Sequence, residues 1–396
     1  MRMASKNRKL PIIIVGAGIG GMTMALALAK KGIASIVLEQ APELRVSGAG
    51  IQFCPNTYKA LNYLGLEEAF KDISFFPESH CYKNGVTGLQ YLKIPLGKKI
   101  LARFNHPFGG LHRQEVLRVF ATECQNSSLI TIHANSKVVE VGESGDSVYA
   151  KTENDTLYTG EALIGSDGIR SVVQRFVVGQ DLPFNFGNIV YRGVVKRKDM
   201  PKGINLDDIV HFVLPGSYVV YYPIGTDDHI HISAHFEVVG LIPDLREGKG
   251  NPDELYHAYE KGLPIVKELV KYVDTSSMRL ILDREPIQKW SHGRIALLGD
   301  AIHPTHPTLG SGAGMAIEDA VVLANKIEES KGDYLTAFKA YYKERHMRTD
   351  YVQRMSRFYN SMHYASGVAL EAREFLLSKL SDEDIYSWYS FLYNGI

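Results

Sequence analysis

The chain is built around one stretch near its start, Leu10-Pro11-Ile12-Ile13-Ile14-Val15-Gly16-Ala17-Gly18-Ile19-Gly20-Gly21. It predicts a buried β-strand that runs directly into a glycine-rich turn with the spacing G-x-G-x-x-G. Gly16 permits the tight turn, Gly18 lets the backbone approach a pyrophosphate, and Gly21 lets the next helix pack closely against the strand. That helix, predicted over Met22 to Lys30, begins where the phosphates would lie, so its free N–H groups face the anion.

A second predicted strand, Ala34 to Leu38, follows the helix and ends at Glu39. A carboxylate at this position is placed to accept hydrogen bonds from the ribose of an adenosine. Alone, G-x-G-x-x-G is a weak signal, but strand, turn, helix, strand and terminal acid occur here in the required order. This part of the chain is therefore predicted to be a dinucleotide-binding βαβ unit.

The composition is typical of an ordinary soluble protein. Of 396 residues, 45% are hydrophobic and 22% are charged, and this length predicts two or three compact regions. Lys+Arg and Asp+Glu balance at 44 each, which gives no electrostatic reason to expect a nucleic-acid partner. No apolar run approaches the roughly 18 residues of a membrane-spanning helix, so no membrane association is expected. Cys54, Cys81 and Cys124 lack metal-ligand spacing and predict free thiols in a reducing cytoplasm.

Two further strands are predicted to end in turns that carry an aspartate. Ala162-Leu163-Ile164-Gly165-Ser166-Asp167-Gly168 and Arg294-Ile295-Ala296-Leu297-Leu298-Gly299-Asp300 each join a buried strand to a bend with glycine. The carboxyl ends of parallel strands gather at one edge of a sheet, where ligands bind. Asp167 and Asp300 are therefore expected near the glycine-rich turn.

Between these two turns the sequence predicts an inserted antiparallel sheet. Tyr218 and Tyr222 lie two positions apart on one of its strands and therefore share a face. His231 and His235 share the polar face of the next strand and are expected to face solvent. The strands of this sheet are predicted over residues 186–196, 208–214, 218–224 and 229–238.

Two other parts of the chain show regular patterns. A long amphipathic helical stretch is predicted from about Tyr334 to Leu380. A small antiparallel meander is predicted from alternating segments at residues 130–133, 137–141, 148–152 and 156–158.

These motifs together resemble the class A FAD-dependent aromatic hydroxylases, which have the p-hydroxybenzoate hydroxylase fold. The resemblance covers essentially the whole chain and rests on G-x-G-x-x-G, Ser166-Asp167-Gly168 and Gly299-Asp300-Ala301-x-His303-Pro304. The salicylate hydroxylase and 3-hydroxybenzoate 6-hydroxylase branch is similar in further stretches. These are Gly48-Ala49-Gly50-Ile51-Gln52, Tyr191-Arg192-Gly193 and Ser311-Gly312-Ala313-Gly314-Met315.

The predicted fold is α/β, with a Rossmann-like FAD-binding domain, an inserted antiparallel β-sheet substrate domain and a C-terminal helical region. The FAD-binding domain is discontinuous, because the substrate domain interrupts it. The boundaries are 1–75, 100–178 and 284–330 for the FAD-binding domain, 76–99 and 179–283 for the substrate domain, and 331–396 for the C-terminal helices.

The resemblance implies tightly bound FAD and a transient NADH or NADPH, since the family has no separate nicotinamide domain. Gly16, Gly18 and Gly21 would contact the FAD pyrophosphate, and Glu39 the adenosine ribose. Backbone N–H groups at the start of a helix would face the pyrimidine edge of the flavin. The other FAD contacts that the resemblance implies are Gln52, Arg113, Asp167, Gly299, Asp300, Gly312, Ala313, Gly314 and Met315.

The chemistry implied is hydroxylation of a small aromatic substrate. NAD(P)H reduces FAD, O₂ adds at flavin C4a, and the hydroperoxide transfers oxygen to an electron-rich ring. A group near the ring would help to ionise the substrate phenol, and the candidates are Tyr218, Tyr222 and His306. By alignment, the hydroxybenzoate 6-hydroxylases have His in place of Tyr218 and Gln in place of Pro307, which leaves the substrate open. His303 is expected to be structural, and no metal site is predicted because no third ligand accompanies His303 and His306.

Two alternatives stay open at this point. A larger polycyclic substrate such as a tetracycline is one, although that branch reads Gly-Gln-Gly-x-Asn where this chain has Ser311 to Met315. A non-catalytic flavin-binding redox module is the other. A flavin-dependent halogenase is disfavoured, because its Trp-x-Trp-x-x-Pro signature cannot be built from Trp290 and Trp388. The protein is expected to be a monomer or a homodimer.

Overall fold

The computed structural model describes residues 10–43, 49–179, 183–238 and 248–396, so Gly48 of the predicted flavin-contacting stretch lies outside the described residues. The strands, in chain order, are β1 Ile12–Val15, β2 Ser35–Leu38, β3 Gly50–Phe53, β4 Ser74–Phe75, β5 Ser79–Asn84, β6 Gln90–Pro95, β7 Gly109–His112, β8 Ile130–His133, β9 Val138–Ser144, β10 Ser147–Thr152, β11 Leu157–Gly160, β12 Leu163–Gly165, β13 Phe184–Lys196, β14 Ile209–Leu214, β15 Ser217–Ile224, β16 His229–Glu237, β17 Arg279–Asp283, β18 Ser291–His292 and β19 Ile295–Leu297.

The helices surround these strands. In chain order they are α1 Ile19–Lys30, α2 Pro55–Leu64, α3 Glu67–Lys71, α4 Gly97–Phe104, α5 Arg113–Gln125, α6 Val172–Val178, α7 Pro252–Ala258, α8 Pro264–Leu269, α9 Gly312–Glu329, α10 Tyr334–His363, α11 Gly367–Leu377 and α12 Asp382–Tyr393.

A six-stranded sheet forms the nucleotide-binding part of the molecule. Its order is β18-β19-β12-β1-β2-β8, and every pair except β18 with β19 is parallel. β1 is completely apolar and buried, which suits a central parallel strand covered on both faces. The carboxyl ends of β1, β12 and β19 therefore lie side by side, as the sequence predicts.

The meander prediction is wrong in its first strand. β8 pairs in parallel with β2, with Ser35 opposite Ile130, and so extends the six-stranded sheet. Only β9, β10 and β11 form the separate antiparallel sheet. The four residues of β8 alternate between apolar and polar side chains. An edge strand of a parallel or of an antiparallel sheet can show this pattern, so it does not predict which strand β8 pairs with.

A seven-stranded sheet lies opposite the six-stranded sheet, across the cavity of the candidate active site. Its order is β17-β13-β16-β15-β14-β5-β6. All of its pairs are antiparallel except β14 with β5, which run parallel. A parallel pair needs a long crossover connection, and the chain provides it because it leaves the sheet after β6 and returns much later. On one face, Ile230, Ile232, Ala234 and Phe236 pack in an apolar core with residues of α7 and α8.

The C-terminal region consists of helices, as predicted, but the long amphipathic stretch is divided. α10 ends at His363 and α11 begins at Gly367, whose φ of +54° is in the left-handed region. Arg345 of α10 binds Glu318 and Asp319 of α9 at 2.6 and 2.8 Å, in a fully buried ionic network. In the part of the chain that the structure describes, no helix is long and apolar enough to cross a membrane.

Candidate active site

One large cavity lies between the six-stranded and the seven-stranded sheets. It encloses about 1500 Å³ of space free of protein atoms, including its open mouth. One wall consists of the turns after β1, β12 and β19 with the start of α9, and the opposite wall is the polar face of the seven-stranded sheet. The lining residues include Gly18, Gln52, Arg113, Asp300, Gly312, Ala313, His80, Arg192, His211, Tyr218, Val220, Tyr222, His231, Ser233 and His235.

The glycine-rich turn has the close packing that its sequence predicts. Gly16 has a φ of +97°, which L side chains rarely adopt. A Cβ at Gly21 would lie 1.9 Å from the carbonyl oxygen of Gly16, so only glycine fits there. A Cβ at Gly18 would have no neighbouring atom within 4 Å, because Gly18 faces the cavity. The turn thus leaves a bare backbone surface at the start of α1, suited to a pyrophosphate.

Two of the predicted cofactor ligands, Glu39 and Asp167, make hydrogen bonds with other groups of the protein. The carboxylate of Glu39 accepts hydrogen bonds from the backbone N–H groups of Ala17 and Ala41, both at 2.8 Å. Asp167 accepts a hydrogen bond from the Ser171 hydroxyl at 2.5 Å and lies at the start of α6, so its carboxylate is not part of the cavity lining. Burial raises the pKa of Asp167 above its ordinary value, although hydrogen bonds from Ser171 and from nearby backbone N–H groups oppose the shift.

The middle of the cavity contains polar groups that fit a bound nucleotide. Nε of Arg113 and Oγ of Ser311 are buried and have no hydrogen-bond partner among the described residues. Asp300 and Gln52 also face this part of the cavity. Desolvation by the surrounding protein raises the pKa of Asp300, whereas the nearby His303 and Arg113 oppose this shift. A cationic group beside a bare glycine turn is the donor set that a phosphate-containing cofactor requires.

The start of α9 points at the same space, but not all of its residues there reach the cavity. Gly312, Ala313 and Ala316 line the cavity. Gly314 instead packs on α2, where an added Cβ would lie 2.3 Å from Oγ1 of Thr57. The side chain of Met315 is completely buried, and its N–H donates to the carbonyl oxygen of Ser311 at 2.9 Å. The positive end of the helix dipole therefore faces the cavity.

The two predicted tyrosines lie on the opposite wall. Tyr218 and Tyr222 both line the cavity from β15, and neither hydroxyl makes a hydrogen bond with any residue that the structure describes. Tyr218 stacks on His235, with ring centroids 4.4 Å apart and ring planes at 9°. The ring centroid of Tyr222 lies 5.0 Å from that of His231.

The prediction that His231 and His235 face solvent is wrong. Both side chains are at most 3% exposed and line the cavity. His231 accepts a hydrogen bond at Nδ1 from the N–H of Gly50 at 3.1 Å, and Nε2 of His235 lies 3.0 Å from Oγ of Ser233. The polar face of β16 alternates as a solvent-facing strand would, but here it borders an internal polar cavity.

The charges of this wall are set by burial. Burial lowers the pKa of His231 to about 3 and that of His235 well below its usual range, so both imidazoles are neutral at neutral pH. Burial raises the pKa of Tyr218 and Tyr222 above their ordinary value, although Arg192 opposes this. Both phenols are therefore neutral O–H groups.

Arg192 is the residue of this wall that sequence reasoning missed as a ligand-binding group. Its side chain lines the cavity, and its guanidinium has no hydrogen-bond or ion-pair partner in the described ranges. Burial lowers its pKa, but a guanidinium remains charged. The sequence signal for Arg192 is its place in the tripeptide Tyr191-Arg192-Gly193. Side chains alternate along a strand, so Arg192 faces the cavity while the neighbouring Tyr191 is buried on the other face.

His306 does not line the cavity, in contrast to the role predicted for it. Its side chain is 1% exposed, and Nε2 lies 3.2 Å from Oδ2 of Asp283. Its neighbours Thr305 and Pro307 are the lining residues of this loop. His303 is equally buried and lies 2.6 Å from Asp319, which agrees with a structural role.

Comparisons with known proteins agree with this architecture. The family described as FAD binding domain matches residues 9–356. The chain is 32% identical to 3-hydroxybenzoate 6-hydroxylase 1 of Aquipseudomonas alcaligenes, over 96% of this chain and 97% of that protein. Its fold is similar to HpxO of Klebsiella pneumoniae complexed with FAD and uric acid, with a TM-score of 0.85 at 24% identity, covering 98% of this chain and 97% of that one.

A salicylate hydroxylase substrate complex has the same fold, with a TM-score of 0.82 at 21% identity over 98% of this chain and 96% of that one. The family match and the relative from Aquipseudomonas alcaligenes each extend over most of the chain. The fold and the glycine-rich turn beside the cavity agree with both. The chain therefore belongs to the FAD-binding family of class A flavoprotein monooxygenases.

Proposed function

We propose that this monooxygenase hydroxylates a small aromatic acid that carries a phenolic hydroxyl, with NADH or NADPH as the transient electron donor. One oxygen atom of O₂ enters the ring as a hydroxyl group and the other leaves as water, while NAD(P)H supplies two electrons. Bound FAD supplies the electron transfer and the activation of O₂. The observation that carries the proposal is the convergence of Tyr218, Tyr222 and Arg192 on the cavity beside the glycine-rich turn.

The cofactor would lie along the wall made by the nucleotide-binding sheet. The pyrophosphate would contact the bare turn at Gly18, with Gly16 and Gly21 holding its shape. The orphaned Nε of Arg113 would donate to the phosphate or ribityl chain. Asp300 would hold ribityl hydroxyls, and Glu39 would accept from the adenosine ribose. In this assignment the domain between 179 and 283 serves the substrate.

Other predicted cofactor ligands act less directly in this arrangement. Gly312 and Ala313 would present N–H groups to the flavin pyrimidine edge, and Gln52 would lie beside it. Met315 and Gly314 would position that helix turn by packing. Gly299 would shape the turn before Asp300, and Asp167 would hold the start of α6.

Arg192 would orient and ionise the substrate. A guanidinium without a partner attracts a carboxylate or phenolate and makes the anionic form of a nearby phenol more stable. Ionisation makes the ring more electron-rich, which favours attack by an electrophilic oxygen. The neutral O–H groups of Tyr218 and Tyr222 would donate hydrogen bonds to the resulting oxygen anion, whereas their raised pKa values make them poor bases.

The relative from Aquipseudomonas alcaligenes supports the substrate class, because its name specifies 3-hydroxybenzoate. The cellular setting is a further part of the proposal. All three cysteines are buried and free, which favours a reducing cytoplasm. The protein would act there as a monomer or homodimer.

The test is NADH and NADPH oxidation by the FAD-loaded protein with and without salicylate, 3-hydroxybenzoate, 6-hydroxynicotinate and a tetracycline, with products identified by mass. The expected result is stimulation by one aromatic acid and a product heavier by one oxygen atom. Arg192→Gln should weaken that stimulation. Failure of every aromatic acid to stimulate oxidation or yield a product, with FAD bound, would overturn the proposal.

A further inference from the structure

The hydroxyl of Tyr259 bridges two strands of the cavity wall from the face of the sheet that is turned away from the cavity. Its oxygen lies 2.9 Å from the carbonyl oxygen of Tyr218 on β15 and 2.8 Å from that of His235 on β16. Tyr259 follows directly after α7, and its side chain is completely buried in the apolar core beside Phe236. Its only polar side-chain atom therefore holds the backbone of two cavity-lining residues.

One hydroxyl hydrogen serves both carbonyl groups. Tyr218 and His235 are directly opposed across the two strands, and a single O–H donor shared between two acceptors makes a bifurcated hydrogen bond. Burial raises the pKa of Tyr259 well above its ordinary value, so the hydroxyl keeps its hydrogen at neutral pH. The bond thus connects β15 to β16 at the position where the rings of Tyr218 and His235 form a stacked pair.

The segment that carries Tyr259 is itself fixed to the sheet. Oγ of Ser217 donates to the carbonyl oxygen of Ala258 at 3.1 Å. The hydroxyl of Tyr191 accepts from the N–H of Asn251 at 2.7 Å. Both ends of α7 are therefore held against the seven-stranded sheet, which makes Tyr259 a fixed support for the strands above it.

The other tyrosine of the wall is held in a different way. Gly50 donates its N–H to Nδ1 of His231 at 3.1 Å, and a Cβ at Gly50 would lie 2.8 Å from the hydroxyl oxygen of Tyr222. β3 therefore packs directly on Tyr222 and His231. For the stacked pair, the backbone support comes from the opposite face of the sheet, at Tyr259.

We propose that Tyr259 is a positioning residue for hydroxylation, which fixes the backbone under the stacked pair so that the hydroxyl of Tyr218 stays directed at the substrate. This inference rests on the proposed function and on the role proposed there for Tyr218. A small rotation of the backbone becomes a larger displacement at the far end of a tyrosine side chain. Since a misplacement of about 1 Å can cost on the order of 100-fold in rate, loss of the bond should be measurable.

The test is a double-mutant cycle with the FAD-loaded protein and the aromatic acid that gives a hydroxylated product in the turnover assay above. Tyr259→Phe keeps the buried ring and removes only the hydroxyl, and it should lower kcat/KM by about fivefold or more. In the Tyr218→Phe background the same substitution should change kcat/KM by less than about twofold, because the group that Tyr259 positions is already absent. A purely structural role would give equal effects in both backgrounds.

Tyr191→Phe is the matched control. It removes another buried tyrosine hydroxyl that holds α7, but this hydroxyl binds Asn251 rather than the stacked pair, so kcat/KM should change by less than about twofold in both backgrounds. Amide hydrogen exchange of the FAD-loaded protein provides a readout without turnover. Peptides that contain Tyr218 and His235 should exchange about threefold faster or more in Tyr259→Phe than in Tyr191→Phe, since the loss of a local bond favours local opening.

The outcomes separate this inference from the proposed function. Equal effects of Tyr259→Phe in both backgrounds, or exchange as slow as in Tyr191→Phe, would overturn the positioning role and leave the monooxygenase proposal standing. An unchanged rate for Tyr218→Phe itself, with product still formed, would also overturn it. If no aromatic acid is hydroxylated, the proposed function fails and this inference fails with it.

Discussion

The phenol ring of Tyr218 lies flat against the imidazole of His235, with centroids 4.4 Å apart and planes at 9°. Stacking fixes the plane of the phenol, so its hydroxyl is directed by the sheet rather than by a flexible loop. Because burial raises the pKa of Tyr218 and lowers that of His235, neither ring carries charge at neutral pH. Tyr218 is thus a fixed, neutral hydrogen-bond donor.

Removal of this donor should slow hydroxylation. Tyr218→Phe is expected to lower kcat/KM by roughly 10- to 100-fold, since a hydrogen bond to a charged group contributes about 1.5–3 kcal/mol. Tyr221→Phe is the matched control, because Tyr221 is buried on the opposite face of the same strand. Steady-state rates and product yields measure the effect. An unchanged rate for Tyr218→Phe would contradict the assigned role.

Replacement of Arg192 should change the ionisation of a bound phenol. In Arg192→Gln the pKa of the bound hydroxyl is expected to rise by about one unit or more, because a nearby cation favours the phenolate. The phenolate absorbance of the bound ligand, followed against pH, measures this shift. Arg192→Lys keeps the charge and should restore part of it. Identical titrations in Arg192→Gln and the unaltered protein would rule out this role.

Two alanine substitutions in the glycine-rich turn should have different effects. Gly21→Ala places a Cβ 1.9 Å from the Gly16 oxygen and should distort the turn, lowering the Tm and abolishing FAD binding. Gly18→Ala has free space around its Cβ and should fold normally but bind FAD more weakly. Thermal unfolding without FAD and flavin fluorescence titration separate the two effects. Tight FAD binding by Gly18→Ala would show that no phosphate approaches this residue closely.

Substitution of His306 should affect stability rather than catalysis. His306→Leu leaves the buried Asp283 with fewer polar partners and is expected to destabilise the fold by about 1–3 kcal/mol. The KM for the substrate and the rate per bound FAD should stay unchanged, because His306 does not line the cavity. Chemical denaturation and steady-state kinetics at a permissive temperature provide the comparison. A selective fall in kcat would restore His306 as a catalytic candidate.

The ionic network between α9 and α10 should make stability depend on acid pH. Burial alone would raise the pKa of Asp319, but His303 and Arg345 outweigh it and hold that pKa at about 2. The folded-state pKa is therefore depressed, so the stabilisation is present above the unfolded-state pKa near 3.9 and is lost as the pH falls towards 2.

Asp319→Asn should remove this dependence. Because it leaves Arg345 buried with less compensation, the variant is expected to be less stable at pH 7 by about 3–5 kcal/mol. The fall in stability between about pH 4 and pH 2 should become shallower. Unfolding curves across that interval measure both effects. An equal slope in both proteins would mean that other carboxylates dominate the acid response.

The sequence was sufficient to predict the nucleotide-binding half of the molecule. G-x-G-x-x-G, Ser166-Asp167-Gly168 and Gly299-Asp300 all fall where strands of one parallel sheet end, because local turn chemistry determines their positions. The predicted helix at Met22 begins three residues earlier, at Ile19. Such differences are small because strong periodicity defines an element better than its ends.

The substrate-facing half was harder to predict, for physical reasons. A polar strand face has the same alternation whether it borders bulk water or an internal cavity, so the sequence pattern of His231 and His235 does not reveal that they face the cavity. His80 reaches the cavity only through the parallel pairing of β5 with β14, a long-range contact without a local signal. Whether the side chain of His306 lines the cavity likewise depends on its contact with Asp283, which is distant in sequence.

The two faces of β16 have different roles, one in the apolar core and the other in the lining of the cavity. Ile230, Ile232 and Ala234 hold the apolar core, whereas His231 and Ser233 border the ligand space. A substitution at a cavity-facing position therefore leaves the apolar side chains on the opposite face of the strand unchanged. This arrangement lets natural selection or protein engineering change the accepted substrate one side chain at a time, without rebuilding the framework that holds the flavin.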